Sequence, residues 1–298
     1  MTRTMKNDAR VGWAFAFPAL AAVVLVAVFP IVWTGWESLH LDDLRMPWLG
    51  RRFVGFDNYE EALSSARFWS AMAHAAVFTI VAVAIELVGG LVLALMMDRV
   101  SRGRGLIRTA VLLPWAMPTV VVALLWRFMF ESPAGVVNGA LARAGVVPPT
   151  WFADATAAWV PLILADVWKM TPFVAVLLLA GLQNIDRSLY DAARIDGAGW
   201  IRQLMEITLP LLKPALLVAF IFRALDAFRV FDLIYVMTAG GPGTATEPIA
   251  LYTFSRLLQT LRFGFGSALS VIVFTVSFVF ALMCISFLGR GALVERAS

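Results

Sequence analysis

Six stretches of this chain are long and apolar enough to cross a lipid bilayer as helices, and nothing else in the sequence restricts the fold so tightly. They run from about Val11 to Trp36, Ala71 to Met97, Thr109 to Phe130, Ala157 to Leu182, Pro214 to Met237 and Phe265 to Phe287. Each meets the roughly 20 residues that a helix needs to span the hydrocarbon layer. The expected fold is an all-α polytopic membrane protein with six transmembrane helices, read as one transmembrane domain over residues 1–298. Composition supports this: 61% of residues are hydrophobic and 15% charged, where soluble domains run at about half and about a quarter. The chain has room for short loops and no sizeable soluble domain.

The net charge of +4 does not point to nucleic acid, because the basic residues sit in loops beside the apolar runs. That distribution sets orientation in a membrane. With the N-terminus inside, thirteen Lys and Arg fall on the cytoplasmic side and seven on the other. The cytoplasmic groups are Arg3, Lys6 and Arg10; Arg99, Arg102, Arg104 and Arg108; Arg187, Arg194, Arg202 and Lys213; and Arg290 and Arg296. Both termini and the loop at about 184–213 are therefore expected in the cytoplasm. The basic start followed by an apolar run also fits a signal peptide. The run is too long for one and five more follow, so it reads as a retained span, kinked or ended by Pro18 and Pro30.

Within the spans, Gly89-Gly90 allows close helix contact. The prolines of Leu113-Pro114-Trp115-Ala116-Met117-Pro118 imply an irregular helix. Asp166 and Lys169 lie three apart and can pair on one face. Single Cys284, inside an apolar run, excludes an intrachain disulfide and a thiolate cluster. His40 and His74 are far apart with no Cys nearby, which speaks against a metal site. No Gly is followed directly by Lys, so the chain has no phosphate-cradling Gly-Lys-Ser/Thr loop. No nucleophile constellation is evident either, so the chain is expected to be non-catalytic.

The loop between the fourth and fifth runs is the most informative. Ile185, Leu189 and Ala192 recur at helical spacing and predict a short helix with one apolar face. Asp186 is placed to cap its first turn. Gly197 and Gly199 are expected to stop it, and a second short helix is expected from Trp200 to Ile207, running to Pro210. Its mixed charges, Asp186, Asp191 and Asp196 with Arg187 and Arg194, suit a protein partner better than lipid headgroups.

This loop resembles the cytoplasmic signature of permease subunits in binding-protein-dependent ABC importers: Glu-Ala-Ala, three residues, Gly, nine residues, Ile, one residue, Leu-Pro. The chain matches at Ala192, Ala193, Gly197, Ile207, Leu209 and Pro210, with Asp191 where Glu is usual. Phe53 to Tyr59 and Leu113 to Pro118 are similar to segments of carbohydrate permeases. The likeness extends from Phe53 to about Val271 and is best to six-span disaccharide permeases of actinobacteria, mycobacterial trehalose importers among them. The large periplasmic insert and extra spans of the maltose permease are missing. The resemblance implies that Asp191–Pro210 is a coupling helix region seated in an ATPase. It also implies a second, different permease, two ATP-binding subunits holding ATP and Mg, and an extracytoplasmic sugar-binding lipoprotein. This chain itself would hold no cofactor.

The fifth run carries Arg223, Asp226, Arg229 and Asp232 at steps of three. Successive members lie about 60° apart around a helix and can reach one another. One charge at the bilayer centre costs about 2.5–3.5 kcal/mol on insertion scales, so these must pair, line water or lie near the surface. A structural ion-pair ladder and a solute path both fit. The resemblance leans to the path, because maltose-type permeases contact sugar from this helix just before Gly-Gly-Pro. The corresponding positions are near Phe228, Arg229 and Val230. A stand-alone channel or secondary transporter is the competing reading, although no repeat relates the two halves.

Overall fold

The computed structural model describes residue 13 and residues 15–100 and 103–295. Arg3, Lys6, Arg10, Arg102, Arg296 and the expected start of the first run at Val11 lie outside the described residues. In chain order the elements are α1 (Phe15–Glu37), strands β1 (His40–Leu41) and β2 (Arg52–Phe53), α2 (Asp57–Ser64), α3 (Ala66–Arg99), α4 (Arg104–Ala116), α5 (Thr119–Phe130), α6 (Val136–Arg143), α7 (Trp159–Leu182), α8 (Arg187–Ile195), α9 (Trp200–Phe228), α10 (Asp232–Met237), α11 (Ile249–Phe254) and α12 (Phe263–Glu295). The protein is an all-α polytopic membrane protein. Among the described residues, α1, α3, α7, α9 and α12 are each long and apolar enough to cross a membrane, and the bent pair α4–α5 makes a sixth span.

The chain divides into two compact units. One gathers the described residues up to Ala66 with Thr253–Thr275. Here a polar stretch that cannot enter lipid is knitted by its own side chains. β1 and β2 pair antiparallel, with His40 opposite Phe53. Buried Asn58 donates to the carbonyls of Ser38 and His40 at 2.8 and 2.9 Å, satisfying backbone groups that the two-residue strands leave open. Arg262 forks onto Glu61 at 2.7 and 2.6 Å and lies 3.6 Å from Asp43. Arg45 also binds Asp43, and that hydrogen bond holds the Asp43 carboxyl below the usual carboxylate range. A methyl group at Gly264 would come within 2.0 Å of the His40 carbonyl oxygen, so only glycine fits there.

The other unit holds Arg67–Tyr252 with the described residues from Val276 onward. Its core joins α3, α7 and α9 through Ala94, Met97, Val174, Leu178 and Leu212, among others. Small residues let these helices approach. A Cβ at Gly90 would lie 2.5 Å from Val174, and one at Gly181 would lie 2.7 Å from Ala215. Without a hydrophobic drive between helices in lipid, such close van der Waals contact is a main source of association. α5 packs against both α7 and α10. The nearly uncharged stretch after α5 contains α6, tied back by Asn138 to the Glu131 carbonyl at 2.9 Å. Asp154 accepts the Thr156 and Ala157 amides before α7, and those bonds hold its carboxyl low.

Two runs depart from the simple pattern. The third bends by 84° between α4 and α5, because Met117 is extended ahead of Pro118. The fifth was expected as Pro214 to Met237. Instead α9 begins at Trp200 and ends at Phe228, and the backbone leaves helical geometry at Arg229 and Phe231 before α10. The separate helix expected over Trp200 to Ile207 is thus the first part of α9. A widened π-type turn at Leu204–Thr208 carries the helix past Pro210, which supplies no N–H.

Candidate functional site

α8 is built as a free-standing helix with both ends closed. Asp186 Oδ1 accepts the Ser188 amide at 2.9 Å, the cap its position predicts. At the other end Gly197 takes φ +78°. The Ala198 amide reaches the Ala193 carbonyl at 2.8 Å and the Gly197 amide reaches Arg194 at 3.0 Å. That pair of bonds is a Schellman stop, which needs a left-handed residue where Gly197 stands. Gly199 does not act as a second stop. It is extended, with φ −68° and ψ 170°, and leads into α9.

Asp191 and Ala192 are exposed on α8, and Ala193 is half-buried. Asp191 pairs with Arg194 at 2.9 Å in open solvent. Ile207, Leu209 and Pro210 lie in α9 rather than in a loop. α8 and α9 are held together by the Tyr190 and Thr208 hydroxyls at 3.0 Å and by Gln203 on the Ala198 carbonyl at 2.8 Å. Arg99, at the end of α3, lies 5.7 Å above the Trp200 ring. Between the end of α3, α8 and the start of α9 is a cleft of about 720 Å³, lined by Asp98, Arg99, Gln183, Tyr190, Arg194 and Trp200 among others. Beside it, Ile195 is 87% exposed, Ile201 67% and Met205 58%. These exposed apolar side chains stand at the end of α8 and in the first turns of α9.

The second arrangement lies inside the spans. Arg223 of α9 is fully buried and binds three carboxylates. Glu86 of α3 receives its Nε at 2.6 Å and its Nη2 at 2.8 Å. Asp166 of α7 receives Nη2 at 2.9 Å, and Asp226, one turn on, receives Nη1. Lys169 does not pair with Asp166 as the three-residue spacing suggests. Its ammonium donates to the Trp115 carbonyl at 3.3 Å, at the end of α4, while Arg223 takes Asp166. A guanidinium with two buried carboxylates outcompetes a local ammonium because it can satisfy both in one plane.

The fourfold ladder is not continuous. Arg223 and Asp226 pair, but Arg229 caps α9, is exposed, and donates to the Leu225 carbonyl at 3.3 Å. The break that follows places Asp232 in the first turn of α10. Phe228 and Val230 are half-buried around Arg229. Glu86 is missing from the sequence-based set. The signal that finds it is a lone carboxylate inside the second apolar run, which must be paired or hydrated. Farther along, Arg67 forks onto Glu247 with two bonds of 2.8 Å. His74 packs on Trp159 at 5.5 Å and meets the Glu247 carbonyl at 3.1 Å, a packing role rather than a ligand set.

Residues 86–297 match the family model described as binding-protein-dependent transport system inner membrane component. The chain is 42% identical over 277 residues to the trehalose/maltose transport system permease protein MalF of Thermococcus litoralis, covering 93% of each. It is 39% identical to the sulfoquinovosyl glycerol transport system permease protein SmoG of Agrobacterium fabrum, covering 90% of this chain and 85% of that one. It is 38% identical to the trehalose transport system permease protein SugA of Mycobacterium tuberculosis, covering 98% and 93%. A crystal structure of a bacterial ABC transporter involved in import of the acidic polysaccharide alginate has the same fold. It superimposes with a TM-score of 0.83 at 23% identity, covering 97% of this chain and 99% of that one.

Proposed function

The chain belongs to the binding-protein-dependent transport system inner membrane components and is a transport permease; from that premise we propose that it imports a sugar, a disaccharide such as trehalose, as one subunit of an ATP-driven importer. All 298 residues act in this reading as one permease domain. Two of the three relatives carry trehalose in their names, which favours trehalose over the sulfonated glycoside of the third.

The observation that carries the mechanism is α8. It is closed at both ends and exposed, and Ile195, Ile201 and Met205 beside it are exposed too. Asp191, Ala192, Ala193 and Gly197, with Ile207, Leu209 and Pro210 behind them, form the docking element for an ATPase. The excess of basic residues in the loops supports a cytoplasmic position for that element and both termini in a bacterial cell membrane. Two ATP-binding subunits supply ATP and Mg. A second, different permease completes the path, and an extracytoplasmic lipoprotein delivers the sugar. Closure of the ATPases moves α8 and turns the spans from inward-open to outward-open. Arg223, Asp226, Phe228, Arg229 and Val230 border the path, where an aromatic face and a few hydrogen-bonding groups suit a hydroxyl-rich neutral solute.

Co-purification of a second permease and an ATPase with this chain, followed by sugar-stimulated ATPase activity in proteoliposomes across a disaccharide panel, tests the reading. Stimulation by trehalose supports it. Uptake by the isolated chain without an ATPase would favour a stand-alone transporter instead. Arg229→Ala should lower uptake without blocking assembly; normal uptake would return Arg229 to a structural role.

A further inference from the structure

A guanidinium is flat, and its five N–H donors leave it in fixed directions. At Arg223 those directions are set from two other helices. Glu86, with a side-chain accessibility of 0%, takes Nε and one Nη2 donor from α3. Asp166, at 12%, takes the other Nη2 donor from α7. What remains is Nη1, aimed at Asp226, whose side chain is 64% accessible. Glu86 and Asp166 already join α3, α7 and α9 through Arg223, and Asp226, on α9 itself, adds no further helix to that clamp. The arrangement instead fixes the orientation of one accessible carboxylate just before the chain breaks at Arg229.

We propose that Glu86, Asp166 and Arg223 are positioning residues that aim the Asp226 carboxylate at the solute, where it accepts hydrogens from sugar hydroxyls. An ionised carboxylate accepts and never donates. Its complement is therefore a neutral polyol, and a sulfonated or uronic solute is disfavoured. Charge-assisted bonds of this kind are short and directional, so orientation matters as much as charge. The inference rests on the reading that residues 226–230 border the solute path.

The test uses the complete importer in proteoliposomes, with trehalose and its monodeoxy analogues as probes. One binding protein serves every variant, so differences between variants belong to the permease. Wild type is expected to take up at least one deoxy analogue about tenfold more slowly than trehalose, the cost of one lost bond to a charged group. Asp226→Asn, Glu86→Gln and Arg223→Lys should each flatten that difference to within about twofold, and Glu86→Gln added to Asp226→Asn should flatten it no further. Equal handling of all analogues by wild type would overturn the proposal. Flattening by Asp226→Asn alone, with Glu86→Gln and Arg223→Lys still discriminating, would overturn the positioning role and leave the path reading intact. Wild-type behaviour of Asp226→Asn would remove the path reading itself. Should Glu86→Gln not assemble, Asp166→Asn carries the same test, and failure of all three buried variants to assemble would make Arg223 a packing clamp and overturn the proposal.

Discussion

Two Arg–Asp pairs in this protein share one spacing and differ in nearly everything else. Asp191 and Arg194 on α8, and Arg223 and Asp226 on α9, are each three residues apart on a helix. The first pair is 68% and 65% accessible and joins residues of one helix. In the second, Arg223 is 1% accessible and is shared with Glu86 and Asp166 from two other helices. In water an ion pair is nearly exchangeable for hydration, whereas a guanidinium out of water depends on every partner it has. The contrast teaches that spacing identifies which charges can meet, and burial decides which meetings matter.

The comparison breaks most sharply at Arg223. Arg223→Ala leaves Glu86 and Asp166 facing each other without a cation, a loss of about 3–5 kcal/mol for a broken buried pair; thermal melting of the purified complex should show it, and an unchanged transition would dissolve the distinction between the two pairs. Next comes Gly197→Asp. A side chain there meets no atom within 4 Å, but the left-handed φ of +78° strains the stop of α8, so the spans are expected to survive while uptake falls about tenfold through a displaced docking helix. Normal uptake with normal complex yield would count against α8 as the docking element.

Asp186→Ala should loosen the first turn of α8 alone, read as faster exchange of the Ser188 amide. The same bond makes a pH prediction. The Ser188 amide holds the Asp186 carboxyl below its ordinary value, so the cap is fully present above about pH 3.9 and is lost as pH falls through the lower folded value. Exchange protection at Ser188 should therefore persist at pH 5 and fade below about pH 4, and the alanine variant should show no such step. Smallest of all, Arg194→Ala should change stability by less than about 0.5 kcal/mol; a loss comparable to Arg223→Ala would mean α8 is not the open helix described.

The spans and α8 were legible from the sequence because apolar length and helical periodicity are local properties. Asp186 as a cap and Gly197 as a stop were readable for the same reason: each acts on residues a few positions away. The buried cluster was only half legible. Arg223 and Asp226 announce themselves by spacing, but Glu86 is 137 positions from Arg223, and no local pattern joins them. Lys169 shows the opposite failure, a local pairing with Asp166 that a tertiary partner overrides. The break at Arg229 was hidden because nothing there is a proline or a glycine; charged and apolar residues alternate through it in the same pattern while the backbone does not stay helical.

One consequence follows from the unbroken course of α9. Its 29 residues make a rod of about 43 Å. Trp200, beside the outward-facing Ile201, stands at one tip and Asp226 near the other. Pivoted about its middle, such a rod behaves as a seesaw: a tilt of about 10° would carry the two tips roughly 4 Å in opposite senses. A push at the apolar tip and a displacement at the carboxylate would then be one rotation, with no chain of side-chain rearrangements needed between them.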